Sequence, residues 1–376
     1  MRKEQSGGGA ALYADFSQHG LIRTASSLRR ERKTSMMHVG LIGHGYASAT
    51  FHIPLINKAV GLQLQAIYSS KAVNHSHAAV VSDVNEVISR KDIDVIVVVT
   101  PNMTHYELAK KAIAAGKHVV VEKPFTVTSA QADELIDLAR QKGVLLTVFQ
   151  NRRWDNDFLT VQELLRTEVL GKISMYEAHY DRFRPNVRQR WREQNIPGSG
   201  ILYDLGAHLI DQALTLFQMP KTIWADVQAE RTGAEAVDYF HLVLGYDDKK
   251  VILHAGSIVR EPGPKVMVHG TRGSFIKYGL DSQEDQLKKG MSPGDPGWGE
   301  DEPGQYGLLT ADIGGMTFRG TVETLPGRYE VFYEQLSHAL TAGSAVPVLP
   351  EESRNTIRII EYAMQSQREQ KTIQIS

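Results

Sequence analysis

The amino-acid sequence predicts an α/β fold in two parts, a doubly wound parallel sheet followed by an α+β domain. Three observations lead there: short apolar runs alternate with helix-like stretches between His38 and Phe149, a Gly-rich turn follows the first run, and the pattern changes beyond Trp154. The runs are Val39-Gly40-Leu41-Ile42, Leu64 to Tyr68, Val95 to Val99, Val119-Val120-Val121 and Val144 to Phe149. Several are continuous rather than alternating, the mark of strands covered on both faces. Between them, His105 to Ala115 and Ser129 to Lys142 carry apolar residues at the helical period, with Ser129 as the expected N-cap. Parallel strands joined by helices follow from this rhythm.

Beyond Trp154, amphipathic runs give way to strand signals at Thr222 to Ala229, Phe240 to Gly245, Lys250 to Ile258 and Lys265 to His269. A turn-rich stretch around Pro293, Pro296 and Pro303 is expected to form a long surface loop. Helical patterns at Tyr329 to Ala342 and Glu351 to Gln367 close the chain, either able to pack back across the first domain. The expected boundaries are a flexible extension over 1–37, a first domain over 38–156 and a second over 157–376. The extension mixes Gly7-Gly8-Gly9 with basic Arg29-Arg30-Glu31-Arg32-Lys33 and has no apolar core of a secretory signal. Met36 and Met37 stand immediately before the first strand-like run, so the upstream part reads as an over-extended start.

Composition narrows the class of function. In 376 residues, 42 basic and 43 acidic side chains leave a formal charge of −1, with no electrostatic footprint for nucleic acid or an anionic membrane. A small neutral or polar ligand is the expected partner. The absence of cysteine excludes disulfides, thiolate zinc sites and cysteine nucleophiles, and fits a cytoplasmic location. No apolar run is long enough to span a membrane. The fourteen histidines are scattered and no H-E-x-x-H run occurs, so no metal centre is expected.

Gly43-His44-Gly45-Tyr46-Ala47-Ser48 sits between the first strand and a helical stretch. Glycines there permit a tight turn and close approach of a pyrophosphate to a helix N-terminus, the dinucleotide site of a Rossmann domain; Ser48 replaces the third glycine. An acidic residue at the end of the second strand usually binds the ribose hydroxyls of NAD, yet none occurs between Glu31 and Asp83. The strand ends instead in Tyr68-Ser69-Ser70-Lys71, whose two hydroxyls and one ammonium suit a 2′-phosphate and predict NADP. Thr100-Pro101-Asn102, with His105 just beyond, ends a further strand and is expected to border the nicotinamide ribose. Glu122-Lys123-Pro124 ends the next, placing a lysine beside the nicotinamide and a proline able to take a cis bond. Asp204 and His208 are four residues apart, so a helix projects both from one face.

Taken together, Gly43-His44-Gly45, Thr100-Pro101-Asn102, Glu122-Lys123-Pro124 and Asp204 with His208 resemble the glucose-fructose oxidoreductase, inositol dehydrogenase and rhizopine-catabolism family, Gfo/Idh/MocA, over about residues 38 to 376. The resemblance implies that Lys123 and His208 are the catalytic pair, with Asp204 contacting substrate or orienting the histidine. It also implies a large, mostly antiparallel open sheet in the second domain, through which a homodimer or homotetramer forms. Gln150-Asn151-Arg152-Arg153-Trp154, Phe183-Arg184-Pro185, Arg190-Trp191-Arg192-Glu193, Val237-Asp238-Tyr239-Phe240-His241 and Gly273-Ser274-Phe275 are similar to the subgroup of bacterial NADP-dependent scyllo-inositol 2-dehydrogenases.

Oxidising a secondary alcohol moves a hydride to nicotinamide and a proton off the hydroxyl, so an acid/base group must reach that oxygen. His208 titrates near neutrality and Lys123 stabilises a developing alkoxide; which of them takes the proton stays open at this stage. A polyol also needs several hydrogen-bond partners, for which Asn151, Arg152, Asp181, Arg184 and Trp191 are the candidates. The expected reaction interconverts scyllo-inositol and scyllo-inosose with NADP(H). The alternatives are another sugar or cyclic polyol as substrate, or a dinucleotide-binding regulator without turnover, because the family resembles a yeast galactose-pathway repressor.

Overall fold

The structure is a computed structural model that describes residues 36–73 and 75–375; the expected extension over 1–37 lies almost wholly outside the described residues. The strands are β1 Met37–Ile42, β2 Leu62–Tyr68, β3 Ala79–Val81, β4 Val95–Val98, β5 His118–Glu122, β6 Leu146–Phe149, β7 Ile173–His179, β8 Thr222–Gln228, β9 Tyr239–Gly245, β10 Lys250–Gly256, β11 Val266–Gly270, β12 Gly273–Lys277, β13 Gly307–Ile313, β14 Met316–Val322 and β15 Ile373–Gln374. The α-helices are α1 Ile53–Lys58, α2 Val84–Ser89, α3 His105–Ala114, α4 Ser129–Lys142, α5 Asn156–Arg166, α6 Ala207–Phe217, α7 Gln283–Lys288, α8 Glu330–Ala342 and α9 Pro350–Glu369.

The first sheet has the order β3-β2-β1-β4-β5-β6, and every pairing in it is parallel. Order reverses beside β1, so the carboxyl ends of β1 and β4 open onto a crevice, the place where such sheets hold ligands. The central strand β4 is apolar throughout because helices cover both faces, and all four of its residues are buried. The second sheet has the order β14-β13-β12-β11-β7-β10-β9-β8-β15, with only β7 and β10 paired in parallel. Its strands alternate buried with partly exposed side chains, the pattern of a sheet with one covered face.

The last two helices join the parts. On one face of the first sheet, Tyr329, Phe332, Tyr333 and Leu336, from α8 and the residue before it, pack with Val39, Leu41, Val95 and Val97. On that same face Thr147 of β6 donates a hydrogen bond to the carbonyl of Val348 at 2.7 Å, and on the other face α9 lies against α4.

Three local expectations are refined. The N-cap of α4 is Thr128, not Ser129: its side chain accepts from the backbone N–H of Gln131 while Gln131 reaches back, a reciprocal capping box. The Pro-rich stretch is a surface loop, exposed at Gly294, Pro296, Glu300 and Glu302 to Gln305, but it is anchored by the buried Trp298 and Asp301. Asp301 lies 2.8 Å from Lys277, and each side chain is inaccessible, so the segment is drawn inward to neutralise a buried ammonium. Strand β7, central to the second sheet, carried no sequence signal strong enough to be expected.

Candidate active site

The carboxyl end of β1 turns sharply at Gly43, whose φ is +105°. A Cβ there would stand 2.2 Å from the carbonyl oxygen of Val99, so the close approach of β1 and β4 admits glycine alone. A Cβ on Gly45 would meet nothing within 4 Å, leaving backbone open to a ligand. The chain is helical from Tyr46, with Ala47 packed against the core. Ser48, in place of the third glycine, donates its hydroxyl to the carbonyl of Gly43 at 2.7 Å and so closes the turn. A tight glycine turn, bare backbone and a helix start make a cradle that fits a dinucleotide pyrophosphate.

At the end of β2, the Ser69 hydroxyl donates to the Lys71 carbonyl at 2.9 Å and accepts from the Lys71 N–H at 3.2 Å. Ser69 therefore shapes the turn, and the groups left facing outward are Ser70 and Lys71. At the end of β4, Thr104 donates to Thr100, and Pro101 leads into a short 3-10 turn. Asn102 is buried, donating to the carbonyl of Gly198 at 2.7 Å and tying this loop to the second domain.

Two expected cofactor contacts are corrected. His105 is wholly buried with its ring nitrogens 2.9 Å from the carbonyls of Pro124 and Thr100. It clamps two strand-end loops together and offers no polar atom outward. The Glu122 carboxylate is likewise engaged, with His52 at 3.0 Å and the Lys123 N–H at 2.8 Å, and His52 continues to the Tyr333 hydroxyl at 2.6 Å. Burial raises the Glu122 pKa, but the His52 bond and neighbouring positive charges outweigh it and hold the carboxyl below its usual value. Glu122 holds the loop that carries the lysine.

Lys123 follows, and the Lys123–Pro124 peptide is cis. Its ammonium reaches across the crevice to the carbonyl of Asp204 at 2.8 Å and to that residue's carboxylate at 3.2 Å. Residues Leu202–Gly206 form one wide π-helical turn that runs directly into α6, which carries His208. The carboxylate of Asp204 also draws Arg182 to 3.8 Å and Arg192 to 3.6 Å. Burial opposes its charge, but these three cations hold its pKa far below the usual carboxylate range. Asp204 thus anchors the ammonium and does not orient the histidine, which corrects one of the two roles expected for it.

His208 is buried beside Tyr180, with ring centres 6.4 Å apart, and its Nδ1 has no hydrogen-bond partner among the described residues. Burial, then the positive charges of Lys123, Arg152 and Lys265, push its pKa well below 6.5 and keep the imidazole neutral. The site therefore sets a fixed ammonium near a neutral ring.

The end of the first domain and the second domain supply the remaining polar groups. Asn151 is buried in the 3-10 turn Asn151–Trp154. Arg152 donates to Glu284 at 2.9 Å and lies over the Tyr180 ring, and it bears electrostatically on His208. Arg184 lines a cleft with Arg182, Arg190, Arg192, Arg231, Glu193 and Asp204; Trp191 does not line it and is covered by the guanidinium of Arg192. Asp181 is misassigned as a substrate contact: its carboxylate accepts from Gly256 N–H at 3.0 Å and faces His179 and His254 on the other side of the sheet. Period-two alternation is the reason, since the side chains facing the crevice are Tyr180 and Arg182. Arg182 was missed, although alternation along Tyr180-Asp181-Arg182-Phe183-Arg184 forbids Asp181 and Arg184 from sharing a face.

A Rossmann cradle facing an ammonium, a carboxylate and a neutral imidazole defines a dinucleotide-dependent oxidoreductase. Residues 37–150 match the model of an oxidoreductase family with an NAD-binding Rossmann fold, and residues 162–375 match that family's C-terminal alpha/beta domain. The chain belongs to the Gfo/Idh/MocA oxidoreductase family. It is 44% identical over 352 residues to scyllo-inositol 2-dehydrogenase (NADP(+)) IolW of Bacillus subtilis, covering 93% of this chain and 98% of that protein. Over 341 residues it is 46% identical to the uncharacterized oxidoreductase YdgJ of Escherichia coli, covering 90% and 98%. The solved structure of the putative oxidoreductase yvaA from Bacillus subtilis superposes with a TM-score of 0.89 at 44% identity, covering 92% of this chain and all of that one. Among the described residues no helix is long and apolar enough to cross a membrane.

Proposed function

We propose that this protein is an NADP(H)-dependent dehydrogenase of cyclic polyols that interconverts scyllo-inositol and scyllo-inosose. The observation that carries the reading is the contact of Lys123 with Asp204, which fixes an ammonium in the crevice near the neutral ring of His208. The similarity to IolW supports the substrate, and the acid-free end of β2, with Ser70 and Lys71 outward, supports the 2′-phosphorylated cofactor.

When bound, the dinucleotide supplies the hydride acceptor for oxidation and the donor for reduction. His208, neutral at physiological pH, takes the proton from the reacting hydroxyl. Lys123, held in place by Asp204, stabilises the oxygen as negative charge develops on it. Arg182 and Arg184 offer N–H donors to the other hydroxyl oxygens of the polyol, and a site built for hydroxyls rejects analogues that lack them. Assembly into a homodimer or homotetramer through the open sheet, with no nucleic-acid or membrane partner, belongs to the same proposal.

One observation favours a second substrate. Five arginines line the cleft against two carboxylates, Asp204 and Glu193, a surplus that suits a sugar or polyol bearing an acidic group. Turnover with NADP across scyllo-inositol, myo-inositol, neutral pyranoses and uronates tests both readings. Activity on scyllo-inositol well above the others supports the first. An inert scyllo-inositol beside a rapidly oxidised pyranose or uronate overturns it, and loss of hydride transfer with every member of the panel favours a binding protein.

A further inference from the structure

The histidines that look scattered in the sequence are gathered by sheet register. His179 of β7 pairs with His254 of β10, which pairs in turn with His241 of β9, so three imidazoles stand in one row across adjacent strands. Asp181, two residues beyond His179, projects to the same side, as does Glu177 two residues before it. This side is the face of the second sheet opposite the one that carries Tyr180 and Arg182 toward the crevice.

We propose that His179, Asp181 and His254 form a binding site for a divalent transition-metal ion of the zinc type. His179 Nδ1 lies 3.0 Å from Asp181 Oδ2, and His254 Nε2 lies 3.2 Å from Asp181 Oδ1. Two ligands bound to one zinc at ordinary tetrahedral geometry sit about 3.3 Å apart, so the donors already have the spacing that a shared ion imposes. All three donor atoms fall within 4.8 Å of one another. Two imidazole nitrogens and one carboxylate oxygen match zinc or its neighbours rather than calcium or magnesium, which take oxygen sets.

Two further features point to a ligand site rather than a chance pairing. Glu177 Oε1 lies 2.7 Å from His179 Nε2, the carboxylate behind a ligating histidine that fixes its tautomer and turns Nδ1 toward the metal. The rings of Tyr239 and His241 pack edge-on against His254, with centres 5.2 and 5.6 Å away, and fix the plane of that ring. Asp181 is itself held by the Gly256 N–H. Three protein ligands leave a fourth tetrahedral position for water. Because Asp181 lies just beyond β7, an ion here would fasten the end of β7 to β10.

The test uses the full chain, stripped with chelator and titrated with Zn²⁺ alone. Calorimetry and metal analysis after gel filtration should find one ion per chain. His254→Ala and His179→Ala should lose it, Glu177→Gln should weaken it by about 10- to 100-fold, and a His75→Ala/His77→Ala double variant, altering a histidine pair on another loop, should keep it. Retained NADPH binding in each variant shows that the fold survives, and Co²⁺ should give the visible absorption of a low-coordinate site in the wild type and the His75→Ala/His77→Ala variant but not in His254→Ala or His179→Ala. A wild type that takes up far less than one ion per chain, or variants at His254 and His179 that take up as much as the wild type, overturns the proposal. The assay reads metal content and not turnover, so its outcome is independent of the substrate assignment.

Discussion

The ammonium of Lys123 is held by two oxygens of Asp204, the backbone carbonyl at 2.8 Å and the carboxylate at 3.2 Å, across 81 residues of sequence. One residue thus fixes the position of the other. Replacing Lys123 with Ala removes the group that faces developing negative charge, so kcat should fall by about 10²- to 10⁴-fold. The Rossmann cradle is untouched, and NADP affinity measured by fluorescence should stay near the wild-type value. A variant as active as the wild type would remove the proposed mechanism.

His208 predicts a pH dependence of stability. Its folded pKa lies well below that of an unfolded histidine, about 6.5. The unfolded chain therefore binds more protons at this residue, and stability from it is complete above about pH 6.5 and lost as pH falls toward the folded value. Denaturant titrations should show His208→Asn with a flatter decline than the wild type below pH 6.5. An equally steep decline would place the acid sensitivity elsewhere.

Alternation in the extended chain just beyond β7 separates two adjacent residues by function. Arg182 faces Asp204 while Asp181 faces His179 and His254. Removing a charged donor from a substrate site costs about 1.5–3 kcal/mol, so Arg182→Ala should raise KM by roughly 10- to 100-fold. Asp181→Asn should leave KM within about threefold, since its side chain lies on the far face. Equal effects on KM would show that the strand does not divide these roles.

Cofactor choice should follow the turn after β2. Ser70 and Lys71 face outward there, and no carboxylate stands nearby in sequence. Lys71→Ala should weaken NADP by about tenfold while sparing NAD, and Ser70→Asp should reverse the preference, because a carboxylate repels a phosphate and binds ribose hydroxyls. Ratios of kcat/KM for the two cofactors give the answer directly.

Stability without catalysis is expected at Arg153. Its guanidinium grips Asp211 of α6 through two bonds of 2.7 Å, and both side chains are nearly buried. Arg153→Ala leaves that carboxylate without its counter-ion, at a cost of about 3–5 kcal/mol. Thermal unfolding should shift down by several degrees while KM measured at low temperature changes little.

By itself the sequence determined the parallel sheet, the glycine turn and the residues at three strand ends. Strands buried on both faces must be apolar along their whole length, and a turn whose Cβ would strike Val99 must be glycine, so both demands are written locally. It also marked Lys123, Asp204 and His208, whose motifs lie at element ends. What only the tertiary structure decided is which way side chains face and whom they meet. His105 and Glu122 were drawn into buried hydrogen bonds, Asp204 was claimed by three cations, and Asp181 turned from the crevice to join histidines up to 73 residues away. Those outcomes depend on strand register and competition among distant charges, and neither leaves a trace in the local order of residues.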